Sequence, residues 1–170
     1  IYPDYRNNRV EIGKILSTID TLKSDGDIEI KSLSIKGFAS PESPYENNTR
    51  LAKGRTEALK EYVSELYHFP DNFIRTSFEP ENWEGLREYV LASGISNRQE
   101  ILDIIDIQDR DPDTKEWILK SRYPEEYKYL LANCYPALRR SDYYIEYTVR
   151  NYSDIAEIER VFHTSPGKLS

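Results

Sequence analysis

The chain has 170 residues, 38% of them hydrophobic and 31% charged, enough for one globular domain with its own core and an appendage. Asp and Glu outnumber Lys and Arg by 30 to 23. The resulting net charge of −7, with no Lys/Arg cluster to break it, argues against nucleic acid or an anionic membrane surface as the main partner.

Residues 4–24 are predicted as a helix, with Ile12, Ile15, Leu16, Ile19 and Leu22 at i, i+3, i+4, i+7 spacing. Ser24-Asp25-Gly26-Asp27 stops it. "IEIKSLSIKGFA" then reads as a strand whose apolar parity changes near Lys31-Ser32, the mark of a bulge or a late strand start. Residues 41–47 form a loop, and Asn47 or Asn48 is the expected N-cap of a helix running to about Tyr67. On that helix Leu51, Ala58, Leu59, Tyr62 and Leu66 form an apolar stripe with Arg55 near its middle. A charge there is costly unless something pairs with it. His68 sits at the helix end as a C-terminal cap, and "FIRTSFE" is a short strand.

Residues 80–138 leave this helix–strand rhythm. They hold short amphipathic helices around Trp83–Leu91, Asn97–Ile107 and Thr114–Lys120, and another opening at Pro124. The expected core of this helical insertion is Trp83, Leu86, Ile101, Ile104, Ile105, Trp117, Leu130 and Leu131. "DYYIEYTV" alternates strictly, Tyr143, Ile145, Tyr147 and Val149 against Tyr144, Glu146 and Thr148, and is a strand. "SDIAEIERVF" is a short terminal helix. The chain thus divides into an α/β sandwich at 1–79 and 139–150, an insertion at 80–138, and a helix and tail at 151–170 that lead toward a further C-terminal region. No apolar run reaches the ~18–20 residues of a membrane span, and no signal-peptide pattern is present. The start at Ile1-Tyr2-Pro3 and the lack of Met fit a piece of a longer precursor.

Gly37, Phe38, Asn48, Leu51 and Arg55 stand, without a gap, at fixed places of the pattern G-[YHF]-T-D-x-x-G-x-x-x-x-N-x-x-L-S-x-x-R-A-x-x-V, with Leu59 at its last hydrophobic place. "LRRSDYYIEYTV" matches a closing N-R-R-V-E-I strand, with Arg139 and Arg140 as the paired arginines. On these residues the chain resembles the OmpA-like peptidoglycan-binding family over residues 1–79 and 137–150. "ASPES" resembles a variant branch with an A-S-P-E-G loop and a helical insert. The pattern's threonine and aspartate are here Ala39 and Ser40, its glycine Ser43, its serine Ala52 and its alanine Thr56. The resemblance implies an α+β fold, an OmpA-like β/α/β/α/β two-layer sandwich with a helical insertion before the last strand.

It also implies a ligand. The family's aspartate and arginine bind the zwitterionic diaminopimelate of the peptidoglycan stem peptide, carboxylate to ammonium and guanidinium to carboxylate. Arg55 keeps the second role by position. Ser40 offers only a neutral hydroxyl, and Glu42 is placed to restore the charge. Asn48 marks the positive helix start that favours a carboxylate, and Arg140 completes the implied ligand set. Against this, Arg55 has the alternative of a salt bridge to Asp142 or Glu146, Glu42 that of a solvated loop charge, and Asn48 that of a simple cap. The fourteen tyrosines fit either sheet packing or a sugar platform.

No nucleophile–base set, phosphate loop or metal-ligand spacing is present, and the lone Cys134 reads as a buried residue. The expectation is a non-catalytic, cofactor-free domain on the periplasmic side of a Gram-negative outer membrane. It would anchor an outer-membrane protein to the cell wall, with membrane attachment through regions outside this chain. The alternative is the same fold with a degenerate site, serving protein–protein assembly through the insertion.

Overall fold

The computed structural model describes residues 8–150. β1 (Ile28–Phe38) is the centre of a three-stranded sheet, parallel to β2 (Ile74–Glu79) and antiparallel to β3 (Ser141–Val149). The parity change at Lys31-Ser32 is a slip in register between Ile30 and Ser32. It brings Ile30 to the same side as Leu33 and Ile35, although the two groups have opposite parity in the sequence.

Two helices cover that side, α1 (Asn8–Ser24) before β1 and α2 (Tyr45–Tyr67) between the parallel strands. Ile12, Ile15 and Ile19 of α1, Leu59 and Val63 of α2, and Leu33, Ile35 and Ile74 of the sheet make one hydrophobic cluster, flanked by Tyr143 and Ile145. The other face of the sheet is polar: Ser32 Oγ donates to Glu146 at 3.0 Å, and Tyr144 is exposed.

α2 starts at Tyr45 after Pro44, so neither Asn47 nor Asn48 is its N-cap. Its buried face is Asn48, Ala52, Thr56, Leu59 and Val63, while Leu51 and Leu66 are exposed. Leu59 of the expected stripe lies in the core and Tyr62 packs against it, but toward the start of the helix the buried positions are small and polar, where β1 and Glu81 press closest. Gly37 shows how close: a Cβ there would stand 2.0 Å from Thr56 Oγ1 and 3.1 Å from the Ala52 carbonyl oxygen. His68 ends α2 as a C-cap, through its own backbone in the left-handed conformation with its N–H on Ser64 O.

Between β2 and β3 lie α3 (Trp83–Ala92), α4 (Arg98–Ile105), α5 (Pro112–Arg122), α6 (Pro124–Asn133) and the single turn α7 (Tyr135–Leu138). Asn82 and Asp111 cap α3 and α5 through their side chains. These helices build a second, separate cluster from Leu86, Val90, Ile101, Leu102, Ile104, Ile105, Ile118, Leu119, Tyr127, Leu130, Cys134, Tyr135 and Leu138, with Trp83 and Leu131 partly buried against it. Trp117 is not among them; it is 66% exposed, and Ile118 and Leu119 face inward instead. Burial pushes the Cys134 thiol up to about 12, which leaves it unreactive at neutral pH.

The described residues thus form a mixed α and β fold of seven helices and a small mixed sheet. None of these helices is long and apolar enough to cross a membrane. Residues 4–7 of the first expected helix and the terminal helix at 153–162 lie outside the described residues.

Candidate carboxylate-binding site

Where β1 ends, its backbone is held by the chain entering β3: Phe38 N–H donates to Arg140 O at 2.8 Å. This pairing brings Arg139 and Arg140 to the 39–46 loop, about a hundred residues away in sequence. Arg139 turns into the loop. Its Nε donates to Ser40 Oγ at 2.9 Å, and its Nη2 pairs with Glu42 Oε2 at 2.5 Å. Ser40 is buried. Arg140 turns the other way, donating to both carboxylate oxygens of Asp142 at 2.9 and 3.3 Å and lying over the Phe38 ring.

Arg55 reaches the same place from α2, with Nη1 donating to Phe38 O at 3.0 Å. Among the described residues no carboxylate stands within ion-pair distance of its guanidinium. Asp142 is engaged by Arg140 and Glu146 accepts from Ser32, so neither suggested salt bridge forms. Burial lowers the Arg55 pKa, Glu11 of α1 opposes the shift and Arg139 adds to it. Glu11 is in turn raised by burial, against the pull of Arg55.

Asn48 does not face a ligand. It is buried, and its Nδ2 donates to Ser43 O at 2.6 Å and to Glu81 Oε1 at 2.9 Å. Glu81, only 4% exposed, also accepts from Trp83 Nε1 at 2.7 Å, and so ties the start of α2 to the start of α3. Burial raises its pKa, the bonds from Asn48 and Trp83 oppose this, and Asp113 and Glu116 add to it. The first N–H of α2, on Tyr45, is taken by Asp113 Oδ1 of α5 at 2.8 Å. The positive end of the helix is thus met by a carboxylate of the chain itself.

Of the five ligand residues expected from sequence, the structure gathers Arg55, Ser40 and Glu42 around one short stretch of backbone. Arg140 faces the opposite side, and Asn48 is internal scaffolding. Glu42 is neither a solvated charge nor free for an ammonium, since Arg139 holds it. Arg139, named only as one of the paired arginines, was not placed in the ligand set, and Glu81 and Asp113 were missed. For Arg139 the signal was present: counting back in twos from Tyr143 through Ser141 gives the helix-facing parity, which selects Arg139 over Arg140.

No protein-family model, curated protein or solved structure matches the chain. The chemistry must therefore be read from the site itself. It has two guanidiniums, one paired with Glu42 and one that, among the described residues, bonds only to a carbonyl, beside a hydroxyl and a half-buried Glu11. That arrangement suits recognition of an anion. Among the described residues no group of three or more His, Cys, Asp or Glu is placed to hold a metal ion.

Proposed function

We propose that this is a non-catalytic cell-envelope domain of OmpA-like architecture that holds peptidoglycan through a carboxylate of the diaminopimelate-containing stem peptide. It would act on the periplasmic side of the outer membrane. The observation that carries the reading is Arg55: a half-buried guanidinium, bonded to Phe38 O and, among the described residues, to no carboxylate, beside the loop that the motif assigns to the ligand. A desolvated arginine with spare donors binds a carboxylate in the bidentate mode that arginine favours. Calorimetric titration of the full chain with a diaminopimelate muropeptide tests it. Saturable binding by the wild type and its loss in Arg55→Ala are expected; no heat from the wild type would end the reading.

A second reading has its own support. Asp113 occupies the N-terminus of α2, and Arg139 occupies Ser40 and Glu42, so much of the expected site is filled from within. On that reading the domain is an assembly module and the insertion its working surface. Failure of the muropeptide titration with a folded protein would favour it.

A further inference from the structure

The proposed ligand offers more than one carboxylate. The free end of a diaminopimelate side chain is zwitterionic, with an ammonium on the same carbon as its carboxylate. The carboxylate that ends a stem peptide has instead an acylated, neutral nitrogen on that carbon. We infer that Arg139, seated between Ser40 and Glu42 beside Arg55, makes this site select the terminal carboxylate of a peptide over a zwitterionic amino-acid end. This inference rests on the stem-peptide reading above.

The cations are anchored two residues apart on one stretch of backbone, Arg55 on Phe38 O and Arg139 on Ser40 Oγ. A carboxylate bound to Arg55 therefore lies next to Arg139. An ammonium on its α-carbon would meet a guanidinium where a zwitterion needs an anion. Glu42, the anion of the same loop, is already bonded to Arg139 Nη2. Asp113 is held by the Tyr45 N–H, and Glu116 by the Tyr127 hydroxyl. Asp142 is turned to Arg140 on the far side. Glu11 remains near Arg55, but its charge already acts on that guanidinium. A peptide N–H in place of the ammonium carries no charge and can donate to water. Arg139 is thus a specificity residue, filling with a positive charge the place where a zwitterion would put its own.

The test uses the full chain and three probes: a muramyl tripeptide ending in diaminopimelate, the same peptide amidated at its C-terminal carboxylate, and the tripeptide with lysine for diaminopimelate. The expected result is retention of binding by the lysine peptide and a loss of about tenfold or more on amidation, the scale of one charge-assisted pair. Arg139→Gln should narrow that gap, and Glu42→Gln, which frees the Arg139 charge without removing it, should widen it. Binding of the amidated peptide with loss of the lysine peptide would overturn this inference and leave the stem-peptide reading intact. Binding of none of the three would overturn both. An amidation effect unchanged in a folded Arg139→Gln and in Glu42→Gln would take the role away from Arg139.

Discussion

Replacing Gly37 by alanine probes the contact that sets the depth of the site. The new Cβ would lie 2.0 Å from Thr56 Oγ1, 3.3 Å from Thr56 Cβ and 3.1 Å from Ala52 O. Gly37 is on the central strand, opposite Phe78 on one side and Ser141 on the other, so β1 cannot retreat without loosening two ladders. Thr56 can rotate its hydroxyl away only by giving up its 2.8 Å bond to Ala52 O. Overpacking of about 1–3 kcal/mol and one lost hydrogen bond of about 1 kcal/mol give a destabilisation of about 2–4 kcal/mol. With a urea slope of about 2 kcal/mol per molar, the midpoint should fall by roughly 1–2 M. Thr56→Ala should relieve most of the clash, so the pair should be strongly non-additive in urea melts of the four proteins. A Gly37→Ala midpoint indistinguishable from wild type, or purely additive effects, would mean that β1 and α2 do not approach this closely.

Other outcomes follow from the same structure. Asp113→Ala should cost about 0.5–2 kcal/mol by uncapping α2 from a distance, read as a lower thermal midpoint, with exchange protection lost first at Tyr45–Thr49. Ile118→Ala should cost about 2–5 kcal/mol, whereas Trp117→Ala on the exposed neighbour should stay within about 0.5 kcal/mol. Glu81 has a folded pKa above its unfolded one, so the native state binds the proton more tightly. Its destabilising contribution is full above the folded pKa and is relieved as pH falls through that value toward the ordinary carboxylate range. Denaturant melts from pH 7 downward should therefore show this relief in the wild type and not in Glu81→Gln.

The sheet was legible because its residues announce themselves locally: strict alternation at Tyr143–Val149, and the parity slip at Lys31-Ser32 that became a bulge. The insertion was legible as short amphipathic helices, one of them opened by Pro124, while the side-chain caps Asn82 and Asp111 emerged only from the structure. What failed was whatever depended on a distant partner. The buried face of α2 runs through Asn48, Ala52 and Thr56 because Glu81 and Gly37 meet it there, and an apolarity count favoured Leu51 and Leu66 instead. Trp117 looked like core by size, but the helix turns Ile118 and Leu119 inward. The site was half legible: the fixed spacing from Ser40 to Arg55 marked two of its members. Arg139 approaches Ser40 across 99 positions, and Asp113 approaches Tyr45 across 68, so neither pairing has a local signature.

The most direct test of peptidoglycan recognition is an amide chemical-shift map of the isotope-labelled full chain on titration with a diaminopimelate muropeptide. Saturable shifts centred on Phe38–Glu42, Arg55 and Arg139, absent in Arg55→Ala, are predicted. Shifts confined to the insertion, or none at millimolar muropeptide with the wild type folded, would contradict the account.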